Sequence, residues 1–194
     1  MDHGDFCFLS DQYYEDFKDK YLMRNKEVID DELRDRPCFF VFRDNVIPEI
    51  LWLVPISSNY VKYKGLYDKK LLRYNKCNTI RFGEVLGKQA AFLIQNMSPV
   101  TERYIREVYV DKNGVPIKID GRVVDDIITN AREVLAITKR GARIIFPDVN
   151  AIHTTLCEQL KKESAQENNS VDGCPHPGTG YCSSDLPQTY PLQK

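Results

Sequence analysis

Cys38-Phe39-Phe40-Val41-Phe42 and Ile50-Leu51-Trp52-Leu53-Val54 stand on either side of Arg43-Asp44-Asn45-Val46-Ile47-Pro48-Glu49. Two runs of aromatic and branched residues about a polar, proline-bearing connector are the pattern of two strands joined as a hairpin. Both runs are apolar at consecutive rather than alternate positions, so both of their faces are expected to be covered. The second run continues through Pro55-Ile56 and stops at the hydroxyl pair Ser57-Ser58.

Upstream, Phe6–Leu9 reads as a short strand, and Ser10-Asp11 offers a cap for a helix through about Met23, in which Tyr13, Phe17 and Tyr21 recur at helical spacing. Residues 24–36 are charged and lack a sustained apolar period, which predicts a connecting loop or a loosely packed helix bearing Arg34 and Arg36. Downstream, strands are expected at Thr79–Phe82 and Ala90–Gln95, linked through Gly83 and Gly87. Ser98-Pro99 predicts the start of a short helix, because proline is pre-set for the first helical position. Asp120 is placed to cap a helix to about Lys139, with Val123, Val124, Ile127, Ile128, Ala131, Val134, Leu135 and Ile137 as its core-facing stripe. Arg143–Phe146 reads as a short strand and Asp148 to about Lys162 as a last helix. The fold class that results is α+β. Residues 1–163 form one domain, and residues 164–194, rich in Ser, Pro, Gly, Asn and Gln, have the composition of a disordered tail.

Charge is segregated rather than abundant. The 194 residues carry a net charge of −1, which excludes a general polyanion-binding coat and requires any such contact to be local. It is local after Ser58, where Lys62, Lys64, Lys69, Lys70, Arg73, Lys76 and Arg81 are opposed by Asp68 alone and interleaved with Tyr60, Tyr63, Tyr67 and Tyr74. Cations beside stackable rings point to a single-stranded nucleic acid, since base-on-aromatic stacking is worth roughly 1–3 kcal/mol per base. The plain alternative is a solvated helix face whose aliphatic stems cover apolar surface.

Other chemistries have little support. His3, His153 and His176 are scattered, so a two-histidine or Ser-His-Asp mechanism is not indicated, and His153 beside an apolar stripe reads as structural. No phosphate-binding glycine loop, dinucleotide fingerprint or His-Glu-x-x-His occurs, and no metal or cofactor is expected. Six cysteines without a Cys-x-x-Cys pair read as reduced thiols. The start Met1-Asp2-His3-Gly4-Asp5 lacks signal-peptide character and no apolar run is long enough to span a bilayer, so a cytoplasmic location is expected. RNA cleavage needs no histidine: the ribose 2′-hydroxyl is the nucleophile, and hydroxyls and cations can stabilise the charge that develops on phosphorus. Ser57 and Ser58 after a rigid strand, with Lys62 or Lys64 nearby, are placed for that task. Two serines after a strand are also common turn formers.

Along Arg36-Pro37-Cys38-Phe39-Phe40, Leu53-Val54-Pro55-Ile56-Ser57-Ser58, Lys62-Tyr63-Lys64, Phe92-Leu93-Ile94-Gln95-Asn96-Met97-Ser98-Pro99-Val100 and Ile144-Ile145-Phe146-Pro147-Asp148 the chain resembles the toxins of type III toxin–antitoxin systems, the ToxN/AbiQ family, and within it the CptN branch. The resemblance implies a strongly twisted antiparallel sheet with flanking helices, an SH3-like barrel related to the MazF/Kid toxins. It implies a metal-independent endoribonuclease that leaves a 2′,3′-cyclic phosphate and acts in phage defence by abortive infection. It also implies a small repetitive RNA antitoxin, processed and then bound in a closed protein–RNA assembly with several toxin copies, beside cellular or phage RNA as substrate. Carried over by position, Ser57, Ser58, Lys62 and Tyr13 are the implied catalytic residues. Arg36, Tyr60, Tyr63, Lys64, Lys69, Lys70, Arg73, Lys76 and Arg81 are the expected RNA-binding set. The chain departs from the ToxN pattern at Cys38, where that pattern has lysine, and in the longer spacing from Ser58 to Lys62.

Overall fold

The computed structural model describes residues 1–23, 26–29 and 32–171. Its strands are β1 (Phe6–Leu9), β2 (Lys26–Ile29), β3 (Glu32–Asp35), β4 (Cys38–Arg43), β5 (Ile50–Ser57), β6 (Arg81–Val85), β7 (Lys88–Phe92), β8 (Ser98–Thr101) and β9 (Ile105–Val108). Its helices are α1 (Asp11–Asp16), α2 (Tyr60–Tyr74), α3 (Gly121–Lys139) and α4 (Val149–Val171). Seven strands form one antiparallel sheet in the order β6-β7-β5-β4-β1-β9, with β8 also on β5, while β2 and β3 form a separate ribbon. The end strands β6 and β9 do not pair with each other among the described residues, so the sheet is not closed into a barrel.

The expected hairpin is the centre of this sheet. Strand β5 is buried along all eight residues and uses both of its edges. One edge pairs with β4, from Cys38 opposite Pro55 to Arg43 opposite Leu51. The other is shared: Ile50–Leu53 pair with β8 and Ile56–Ser57 with β7. Alternation then sends Trp52, Val54 and Ile56 to one core with Phe39, Val41, Phe92 and the α3 residues Ile127, Ala131 and Val134. Leu51 and Leu53 go to a second core with Phe40, Tyr13, Tyr104 and the α4 residues Ile152 and Leu156. A bulge between Phe40 and Phe42 breaks the alternation and turns Phe42 to the side of Val41.

Helix α3 begins where Asp120 accepts a hydrogen bond from the Arg122 amide, as its sequence predicts. Four other expectations are corrected. The first helix ends at Asp16 instead of Met23, because the Asp19 carboxylate accepts from the amides of Tyr21 and Asp148 at 2.7 Å each and holds a non-helical turn; Ser10 stands at its cap position without a side-chain capping bond. Residues 26–29 and 32–35 pair as the β2–β3 ribbon, Ile29 opposite Glu32; positions 24, 25, 30 and 31 of that expected loop lie outside the described residues. Ser98–Thr101 is the strand β8 rather than a helix start, followed by a single 3-10 turn at Glu102–Tyr104. Pro99 is tolerated there because β8 pairs on one side only, and an edge position need not donate an N–H. Arg143–Phe146 is irregular, with the Phe146 amide donating to Gln95 O at 2.8 Å.

The strands expected at 79–82 and 90–95 are present with shifted bounds, joined by Leu86 and Gly87, both at positive φ (52° and 75°). The compact unit runs from Met1 to Leu160 and a second unit from Lys161. In the latter, residues 161–171 continue α4, and the rest of the expected tail lies outside the described residues. No helix among the described residues is long and apolar enough to cross a membrane.

Candidate nucleic-acid interface

The alternation that places Trp52, Val54 and Ile56 in the first core carries Ser58 to the same side, just past the end of β5. A groove of about 540 Å³ opens there, with Ile56, Val85 and Ala90 on its apolar floor and Ser58 at its edge. The β6–β7 turn and β9 both reach it, so the sheet curls enough to bring two remote stretches of chain to one cleft. Arg34, Lys88 and Arg106 line it, together with Asp35 and Glu107. Arg106 is held by both acids, its Nη2 at 2.7 Å from Asp35 Oδ2 and from Glu107 Oε1, over the Phe8 ring.

Ser57 and Ser58 are separated by that same alternation. Ser57 is buried and its Oγ accepts from the Asn59 amide at 3.2 Å, which fixes the turn out of the strand. Ser58 is exposed. Asn59 then caps α2, its Oδ1 accepting from the Lys62 amide at 3.2 Å, and the first turn of that helix contains no acidic residue. The positive N-terminal end of a 15-residue helix therefore follows Ser58 directly, with Lys62 in its first turn and the Lys62 ammonium over the Tyr63 ring at 5.4 Å.

Helix α2 divides the expected RNA-binding residues. Its inner face carries Tyr60 and Tyr67, both edge-on to Phe82 with centroids 5.1 and 5.5 Å away, and the buried Tyr63 over Ile80, Ala91 and Leu93. These tyrosines pack the helix onto β6 and β7 and are not presented as stacking platforms. Lys70 turns inward as well: its ammonium donates to Thr79 Oγ1 and Gln95 Oε1 at 2.8 and 2.6 Å, and burial holds it below the ordinary lysine range. Lys64 pairs with Asp68 at 2.5 Å, Lys76 with Glu133 at 2.6 Å, and Arg81 with Asp126 at 2.7 Å and with Asn130. Lys62, Lys69 and Arg73 remain as an exposed stripe at helical spacing along the outer face.

Two predicted residues stand apart from this surface. Tyr13 is enclosed in the second core, its hydroxyl donating to Pro99 O at 3.0 Å, and burial raises it well above the usual phenol range. Arg36 is buried behind the groove, with Nη1 donating to Ile56 O at 2.8 Å, so it braces the end of β5. Conversely, Lys88 and Arg106 belong to the groove although neither has a local sequence signal. Each is a lone cation in a short strand, and only the curl of the sheet brings it near Ser58. Among the described residues no cluster of His, Cys, Asp and Glu is arranged to hold a metal ion; Cys174, His176 and Cys182 lie outside them.

No protein-family model matches the chain, and no curated protein matches its sequence.

Proposed function

We propose that this chain is a metal-independent endoribonuclease, the toxin of a type III toxin–antitoxin system, that cuts RNA lying across Ser58. The observation that carries the reading is the position of Ser58: an exposed residue just past the end of the fully buried strand β5, between a groove containing Arg34, Lys88 and Arg106 and the first turn of α2, which contains Lys62 and no acidic residue. In the proposed reaction the substrate 2′-hydroxyl forms a bond to the adjacent phosphorus and the bond to the 5′-oxygen breaks. The proton lost by the first oxygen balances the one gained by the second. The products are a 2′,3′-cyclic phosphate and a 5′-hydroxyl. Ser58 donates a hydrogen bond to a non-bridging oxygen, and Lys62 and the groove cations stabilise the charge that grows there in the transition state. Ser57 and Arg36 act by holding the turn and the strand end.

The outer stripe of Lys62, Lys69 and Arg73 extends the same positive surface along α2 and suits a single strand's phosphates better than its bases. In the wider proposal the occupant is both cellular or phage RNA and a small repetitive RNA antitoxin, held in a closed assembly with several copies of the chain in the cytoplasm. The curled, unclosed sheet is on this reading a relative of the SH3-like barrel of MazF/Kid toxins. A noncatalytic RNA-binding module is the second reading. It is favoured by the burial of Tyr13, by the absence of histidine from the groove lining among the described residues, and by the pairing of both groove carboxylates, Asp35 and Glu107, with Arg106.

Incubation of the purified protein with mixed RNA in EDTA, followed by end-group analysis, separates the two. Products bearing a 2′,3′-cyclic phosphate support the nuclease; RNA bound but intact supports the module; no binding at low salt contradicts both.

A further inference from the structure

A second polar cluster, sharing no residue with the groove, joins α4 to the hairpin at the other end of β5. Cys157 Sγ lies 3.4 Å from Nδ1 of His153, one helical turn earlier. The opposite ring nitrogen, Nε2, is shut off from solvent, makes no hydrogen bond among the described residues, and stands 3.5 Å from Asp44 Oδ2. Trp52 lies nearly parallel to the imidazole, at 22° and 6.3 Å, and donates its indole N–H to the same carboxylate oxygen at 3.1 Å. Lys139 at the end of α3 approaches that oxygen to 3.9 Å.

Thiol, imidazole and carboxylate thus stand in the order of nucleophile, base and orienting acid. Desolvation works against the Asp44 carboxylate, but hydrogen bonds from the Val46 amide, the Trp52 indole and the Ile47 amide, with the charge of Lys139, outweigh it and hold the group below the usual carboxylate range. It is therefore ionised at neutral pH. A carboxylate on the Nε2 side favours the ring proton there and leaves the Nδ1 lone pair toward the thiol. When the S–H proton passes to Nδ1, the resulting imidazolium lies beside a buried negative charge, where Coulomb attraction is stronger than in water.

The other described cysteines lack this arrangement. Cys7, Cys38 and Cys77 are buried, and burial pushes the Cys7 thiol up and the Cys38 thiol to about 12. Cys157 is partly exposed.

We propose that Cys157 is a modification site for low-molecular-weight disulfides of the glutathione type, with His153 as its base. The Cys157 thiolate attacks one sulfur of the disulfide. A new S–S bond forms to Cys157, the old one breaks, and the departing thiolate takes the proton that the imidazole received. The reagent supplies the oxidising equivalent: one half of it is reduced to a thiol while Cys157 is oxidised to the mixed disulfide.

The test is peptide-resolved mass spectrometry of the whole chain treated with oxidised glutathione at neutral pH, folded and in denaturant. The folded Cys157 is expected to react about tenfold faster than the same thiol in the unfolded chain, because Nδ1 of His153, 3.4 Å away, is placed to accept the S–H proton as the thiol attacks. A thiol that is only shielded reacts more slowly when folded, and that result overturns the proposal without recourse to any variant. In folded His153→Gln the acceleration is expected to vanish, while the denatured rate is unchanged. Equal folded rates in parent and His153→Gln would refute the role given to His153.

Discussion

The two ends of β5 are built from similar parts and serve different purposes. At the entering end, Asp44 turns the hairpin by accepting from the Val46 and Ile47 amides at 2.9 and 3.4 Å and from the Trp52 indole. The carboxylate is almost entirely buried and its bonds run inward, so this turn holds the fold together. At the leaving end, Ser57 and Asn59 turn the chain with the same kind of side-chain acceptor, but the residue between them, Ser58, is left facing solvent and cations. One polar turn serves stability, and the other uses that stability to fix a hydroxyl in place.

The comparison breaks most readily at Trp52. Trp52→Ala empties a position only 1% exposed and removes a donor from Asp44, so denaturant titration should show a loss of about 3–5 kcal/mol. Asp44→Asn keeps one acceptor and is expected to cost about 1–3 kcal/mol at neutral pH. Because the folded Asp44 is held below the ordinary aspartate range, its contribution is full above that range and is lost as pH falls through the lower folded value. The stability gap between parent and Asp44→Asn should therefore narrow as pH falls below the ordinary aspartate range; a constant gap would mean that the charge contributes nothing.

The leaving end is probed by salt. If Lys62, Lys69 and Arg73 contact phosphates, replacing all three with alanine should reduce the slope of log affinity for single-stranded RNA against log salt by roughly 2, at about 0.7 per cation. Lys64→Ala, which removes a residue paired with Asp68, is expected to change that slope less than any one of them. The smallest effect is at the β6–β7 turn. Leu86 occupies positive φ before Gly87, a conformation that Asn-Gly adopts more easily, so Leu86→Asn should raise stability by about 0.5–1 kcal/mol in the same titration.

What could be read from the chain follows from how local each signal was. The β4–β5 hairpin is carried by dense apolar runs and a polar connector, and α3 by Asp120 and a long stripe, so both stand where periodicity puts them. The first helix is shorter than its pattern suggests because Tyr13, Phe17 and Tyr21 keep helical spacing while the chain beyond Asp16 is bent by Asp19, whose second partner, Asp148, is remote in sequence. Ser98-Pro99 carried a helix-start signal that pairing with β5 overrode. At the candidate site the basic run was plain, but which cations face outward depends on partners such as Glu133 and Asp126 in α3. Tyrosines that looked like stacking platforms are the residues that seat α2 on the sheet.

The most direct test of this division is to measure RNA cleavage and the unfolding midpoint together for Ser58→Ala and Ser57→Ala. The account predicts that Ser58→Ala cuts RNA about 10²–10³-fold more slowly with an unchanged midpoint. It predicts that Ser57→Ala, which loses a buried acceptor, is less stable by about 1 kcal/mol. A Ser58→Ala protein that cleaves at the parent's rate would contradict the central claim.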